Sequence, residues 1–163
     1  MKINTMYKAA LINSQLLNTA SKNKFVALYS GPVPTKEQLR SVVGGSGNID
    51  LQALRELSVG RTLLGMIPNF TAAVNAYVSG GQLVIPFSAA SLRVTPIVEG
   101  TPTWFLYATA SSAITNAETG SAQLYMPIVG TVGDENSSAD MIIVGGKIMT
   151  GINYQLMDIK LNL

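Results

Sequence analysis

Hydrophobic and polar positions change their period once along the chain. Near the N-terminus Met6, Ala9, Ala10, Ile12 or Asn13, Leu16 and Leu17 recur at spacings of three and four. That is one apolar stripe of an amphipathic helix. Asn4-Thr5 stands where a cap belongs, and Lys22 and Lys24 suit the negative end of the helix dipole. Phe25-Val26-Ala27-Leu28-Tyr29-Ser30 is β-branched and aromatic and stops at Gly31-Pro32, which reads as a strand closed by a turn. Pro34 to Arg40 fits one turn of helix capped by Thr35. Ile49 to Leu57 fits a second short helix with Ile49, Ala53, Leu54 and Leu57 on one face, and a strand fits there as well.

From Arg61 onward the pattern is that of strands. Short apolar or β-branched runs alternate with Gly, Pro, Ser and Asn: Thr62 to Ile67, Ala73 to Val78, Leu83 to Phe87, Ser91 to Val98, Thr103 to Ala108, Ala122 to Pro127, Ala139 to Val144 and Tyr154 to Asn162. Gly80-Gly81 and Gly145-Gly146 are two-residue hairpin signals. Tyr154 to Leu163 alternates without a break and predicts the clearest half-buried strand. Its two faces carry Leu156, Asp158, Lys160 and Asn162 against Met157, Ile159, Leu161 and Leu163. Eight short strands with Gly/Pro turns predict a mainly β fold, a β-sandwich or jelly-roll-like domain over 25–163, preceded by a short N-terminal α-helical arm over 1–24. No repeat of 20 to 50 residues is visible, which removes solenoids and propellers.

Composition changes the picture in one respect. The chain has 163 residues, of which 47% are hydrophobic but only 12% charged, against roughly 25% in an average soluble domain. Such a surface invites association, and burial of much of it against sister molecules makes the composition ordinary. Charge is also uneven. Residues 1–61 hold eight Lys/Arg and three Asp/Glu, a balance of +5, whereas residues 62–163 balance at −3. A basic start and a mildly acidic body can dock to each other, within a chain or between neighbours. High hydrophobicity at low net charge is the reverse of a disordered composition. No run reaches the ~18 to 20 apolar residues of a membrane helix, and the polar residues Asn4, Asn13, Ser14, Gln15 and Asn18 speak against a signal peptide. Neither nucleic acid nor membrane is an expected partner.

The chemical inventory is thin. Cys and His both number zero, which removes disulfides, thiolates, imidazole bases and the Ser-His-Asp triad. Asp134, Glu135 and Asp140 form the densest acidic cluster. Its Gly/Asn/Ser-rich surroundings could offer oxygens to Ca²⁺ but lack the alternating EF-hand spacing, so a turn between strands is expected. A carboxylate pair for sugar hydrolysis needs a separation of about 5 to 10 Å that sequence does not reveal. Gly44-Gly45-Ser46-Gly47 has no following Lys and reads as a linker rather than a phosphate loop. Trp104-Phe105 reads as core, the competing reading being a sugar- or base-stacking platform. The expectation is therefore no enzyme, with no catalytic, cofactor-binding or metal-binding residue and no cofactor.

Five segments in order, Ala27 to Pro34, Arg61 to Gly65, Gly100 to Leu106, Gly130 to Met141 and Gly151 to Leu156, together resemble a family of virion structural proteins from tailed bacteriophages. Ala27-Leu28-Tyr29-Ser30-Gly31-Pro32-Val33-Pro34 is similar to that family's strand and Tyr-Ser/Thr-Gly turn near the N-terminus. Arg61-Thr62-Leu63-Leu64-Gly65 resembles its next strand. Gly100-Thr101-Pro102-Thr103-Trp104-Phe105-Leu106 resembles its Trp-Phe strand, with Leu106 where Arg is common. Gly130-Thr131-Val132-Gly133 followed by Ser138-Ala139-Asp140-Met141, and then Gly151 to Leu156, complete the series in order. The resemblance implies a β-rich component of the virion, on head, neck or tail, whose partners are its own copies and other virion structural proteins. It implies no catalytic residue. The alternative is a receptor- or carbohydrate-binding module on a tail appendage.

Overall fold

The computed structural model describes residues 23–45, 48–70, 75–88 and 92–162. Among them the fold is mainly β. The strands are β1 (Asn23–Ser30), β2 (Ile49–Asp50), β3 (Thr62–Phe70), β4 (Tyr77–Ser79), β5 (Gln82–Ile85), β6 (Arg93–Pro96), β7 (Trp104–Ala110), β8 (Gln123–Gly133), β9 (Met141–Ile142), β10 (Tyr154–Gln155) and β11 (Ile159–Leu161). Two one-and-a-half-turn helices, α1 (Lys36–Ser41) and α2 (Leu51–Glu56), lie between β1 and β3. The larger sheet has the order β10-β6-β3-β1-β7-β8-β2, with β9 added in parallel to β8; the smaller has the order β11-β5-β4.

Antiparallel pairing at the centre of the large sheet sets its two ends. Ser30 faces Thr62, Tyr29 faces Trp104, and Trp104 faces Thr131, so the C-terminus of β1 marks one end. Asn23, Phe70, Ala110 and Leu124 mark the other. From the first end leave the β1–α1, α2–β3 and β6–β7 connections and the long segment after β8.

The central strands are apolar on both faces, because both faces are covered. Val26, Leu28, Phe105 and Tyr107 face the small sheet, packing with Leu83, Ile85, Leu156 and Ile159. Phe25, Ala27, Tyr29, Trp104, Leu106 and Ala108 face the other way, onto Leu51 and Leu54 of α2 and onto Ile114 and Ala117 of the β7–β8 connection. Trp104 and Tyr29 are fully buried there with rings stacked at 4.3 Å. The aromatic pair is core, and a stacking platform at Trp104 is excluded.

The expected helical arm over 1–24 lies outside the described residues except for Asn23 and Lys24, which begin β1. Thr35 caps α1 as expected, in a reciprocal capping box with Gln38. The 49–57 segment uses both of its readings: Ile49 and Asp50 pair with β8, then Asp50 caps α2. Gly80-Gly81, both with positive φ, turn β4 into β5 as a two-residue hairpin requires.

Four expectations need correction. β3 and β8 do not stop at Pro68 and Pro127. Each passes its proline through a register shift, between Lys24 and Val26 on the β1 side and between Tyr107 and Thr109 on the β7 side. A bulge accommodates a residue that has no N–H to give the ladder. Gly145-Gly146 make a turn closed by the Gly146 N–H on the Ile143 carbonyl, but the strand before it pairs in parallel with β8 and no hairpin forms. The alternating run from Tyr154 is broken into β10 and β11. Leu156 and Ile159 are both buried while Met157 is exposed, so the phase slips between them, where the Asp158 carboxylate binds the N–H and hydroxyl of Ser88.

Candidate functional site

The acidic segment that follows β8 is the densest gathering of charge, and its local geometry is that of a folded turn. Asp134 Oδ1 accepts the Asn136 N–H at 3.0 Å, an Asx turn, while the Ser137 hydroxyl donates to the Asp134 carbonyl at 2.8 Å. Glu135 reaches across to the second turn and accepts the Gly145 N–H at 3.0 Å. Asp140 Oδ2 accepts both the N–H and the hydroxyl of Thr131, at 2.8 and 2.9 Å, and the Asp140 N–H donates back to Thr131 Oγ1. Each carboxylate thus fixes backbone. Hydrogen bonds from its own N–H and from Gly145 hold the Glu135 carboxyl below the usual carboxylate range. Among the described residues no three acidic side chains are gathered as a metal ion would need.

This segment does form one wall of an open cleft of about 360 Å³. Glu135, Ser137, Ala139 and Asp140 face Ser88, Met157, Asp158 and Lys160 across it. The small sheet brings the second wall, docked through the Lys160 N–H on the Asp140 carbonyl at 2.9 Å. Sequence reasoning found Asp134, Glu135 and Asp140 but missed Asp158, Lys160 and Ser88, because sheet-on-sheet packing leaves no local signal. In this cleft Asp140 and Asp158 are already engaged by Thr131 and Ser88.

A second cleft, of about 300 Å³, opens at the first end of the large sheet between Arg61, Thr62, Leu63, Ile97, Val98, Asn116 and Glu118. Arg61 donates from Nε and Nη2 to the two oxygens of Glu118, both at 3.2 Å, in a bidentate pair half-shielded from water. The guanidinium is therefore committed to its own chain. Neither cleft is walled by an aromatic side chain, as a sugar-binding groove would be.

Beneath the second cleft, Tyr29 Oη and Trp104 Nε1 are buried without a hydrogen-bond partner, and Tyr107 Oη is in the same position on the opposite face of the sheet. Burial pushes both tyrosine hydroxyls up from their ordinary pKa; for Tyr29 the Glu118 charge adds to the shift while Arg61 and Arg55 oppose it. Both stay protonated throughout the working range of pH and offer no base.

Several large apolar side chains are exposed as well. Val33, Val59, Ile97, Val98, Met149 and Ile152 are exposed, and all sit on connections leaving the first end of the large sheet. The connections are tied together: the Ser58 hydroxyl donates to the Pro32 carbonyl, Gly100 and Ile148 exchange backbone bonds, and Thr150 donates to Glu99. Among the described residues no helix is long and apolar enough to cross a membrane. No family model matches the chain, and neither a curated protein nor a solved structure does.

Proposed function

We propose that this chain is a non-catalytic structural subunit that works by assembling with copies of itself and with neighbouring proteins. The observation that carries the reading is the set of apolar side chains held out to solvent by connections that are themselves hydrogen-bonded into place, Val59 at 83% exposure foremost. On a chain only 12% charged, that surface is of the kind found at protein contacts. The carboxylates of the acidic segment support the same reading, since they bind their own backbone. The placement in a tailed-phage virion, as a head decoration, neck or tail-associated component, rests on the ordered motifs from Ala27 to Leu156 that resemble such proteins. Cofactor, metal, nucleic acid and membrane have no part in it.

The test is the mass of the purified protein in solution. Size exclusion with light scattering at physiological salt is expected to give an oligomer that dissociates on dilution; a monomer at every concentration overturns the reading. For the virion placement, mass spectrometry of gradient-purified particles is expected to find the chain at a fixed stoichiometry, and finding it only in the unassembled fraction refutes that part.

A further inference from the structure

Backbone pairing in the small sheet leaves one strand with an open side. β11 turns its Lys160 N–H away from β5 and onto the Asp140 carbonyl, so Ile159 and Leu161 are the residues that bond β5, opposite Ile85 and Leu83. Leu83 and Ile85 therefore direct their backbone groups to β11, and the alternate residues Gln82 and Val84 direct theirs to Ser79 and Tyr77 of β4. Val78 lies between these two, opposite Leu83, and its N–H and carbonyl point off the sheet, where no described strand follows. Other edges are closed or short. On β8 the Thr131 N–H is held by Asp140, and Pro127 has none to give. β2 is bridged to Val43, and β10 is two residues long. β4 has no such guard: it contains neither proline nor charge, its register with β5 is unshifted, and no charged residue occurs from 75 to 88.

From this edge we propose that two copies join through β4, antiparallel about a two-fold axis at Val78. The inference deepens the assembly reading above and rests on it. A second copy is the occupant the edge fits, because the same two groups serve both sides: each Val78 N–H donates to the carbonyl of the other Val78, and no like charges meet. The two small sheets become one of six strands, ordered β11-β5-β4-β4-β5-β11. On its solvent face Tyr77, 49% exposed, covers Ser79 of the other copy at both ends of the contact. Three residues a side is small beside the roughly 1,600 Å² of a standard interface, so half-association is expected no tighter than micromolar.

The register supplies the test, since position 77 of each copy stands opposite position 79 of the other at a Cα spacing of about 4.5 Å. Tyr77→Lys with Ser79→Lys sets like charges opposite one another at both places, whereas Tyr77→Lys with Ser79→Glu sets opposite charges there. Both positions are exposed, and circular dichroism melts check that each variant folds. In analytical ultracentrifugation the concentration for half-association is expected to rise by about tenfold in the first variant, and to return to within about threefold of the unaltered protein's in the second. The chain has no cysteine, so Tyr77→Cys with Ser79→Cys gives a covalent readout. Mild oxidation is expected to lock it as a dimer on a non-reducing gel, and to leave Tyr77→Cys alone monomeric, its two thiols belonging to positions about 7–8 Å apart. Equal loss of association in both charged variants assigns the effect to Tyr77 itself and overturns the register. If the two-lysine variant associates as well as the unaltered protein, or the double-cysteine variant stays monomeric on oxidation, the edge contact is overturned while assembly itself stands. If the unaltered protein is monomeric at every concentration, the proposed function falls and this inference with it.

Discussion

Among the described residues, three buried polar atoms without partners cost the fold more than they return. Tyr29 Oη, Trp104 Nε1 and Tyr107 Oη each gave up a hydrogen bond to water on folding and regained none. Their rings compensate through packing: Tyr29 stacks on Trp104, and Tyr107 lies against Phe70 and Phe87 at centroid distances of 6.0 and 5.0 Å. Phenylalanine would keep the packing and remove the uncompensated hydroxyl. Tyr29→Phe is therefore expected to stabilise the protein by about 1 kcal/mol, raising the midpoint of thermal unfolding by roughly 2–4 °C in a chain of this size. A lowered midpoint would show that the hydroxyl has a partner, a bound water being the simplest. The place of Trp104 in the core was legible in the sequence; that of Tyr107 was not singled out by any local signal. The missing partners were not legible either, since satisfaction of a buried hydroxyl depends on atoms contributed by distant strands.

Strands and helices were legible where one local rule sufficed. Thr35 announces α1, Gly80-Gly81 announce a hairpin, and Phe25 to Ser30 announce a strand. Where two rules competed, periodicity misled. Pro68 and Pro127 looked like stops because proline breaks a ladder, yet the flanking pairing was strong enough to carry each strand through a bulge. Asn69 completes the first bulge by taking a positive φ of 41° and accepting the Ile114 N–H at 2.8 Å, a bond to a residue 45 positions away. The alternation after Tyr154 failed for a related reason, a side chain of one element (Asp158) serving the backbone of another (Ser88). Close approach between strand and core was equally hidden. A Cβ at Gly130 would lie 2.6 Å from the Phe105 ring and 2.9 Å from Asp140 Oδ2. Phe105 is fully buried and has no room to retreat. Gly130→Ala is accordingly expected to destabilise by about 1–3 kcal/mol through overpacking, read as a lower urea midpoint with an unchanged slope. An unchanged midpoint would mean that β8 can move away from β7 at this point.

For the whole molecule the low count of ions is the organising fact, and its distribution matters more than its sum. A net charge of +2 describes a nearly neutral chain, but residues 1–61 balance at +5 and residues 62–163 at −3. An imbalance of this kind attracts its own copies at long range and is screened by salt. Contacts made by apolar side chains alone respond in the opposite sense, since strongly excluded salts strengthen burial. Self-association is thus expected to weaken from 50 mM to 500 mM sodium chloride, measured by sedimentation, with the charge-reversing variant Glu99→Lys showing a shallower dependence. Acid acts on the same contact. As pH falls through the carboxylate range the Asp and Glu side chains lose negative charge while Lys and Arg keep their positive charge, so association declines. Hydrogen bonds from its own N–H and from the Gly145 N–H favour the charged form of Glu135 and hold its pKa down, so its charge persists to lower pH than that of an unperturbed glutamate. A self-association that strengthened with sodium chloride, and was indifferent to mild acid, would assign the contact to the apolar side chains and leave the charge asymmetry without a role in assembly.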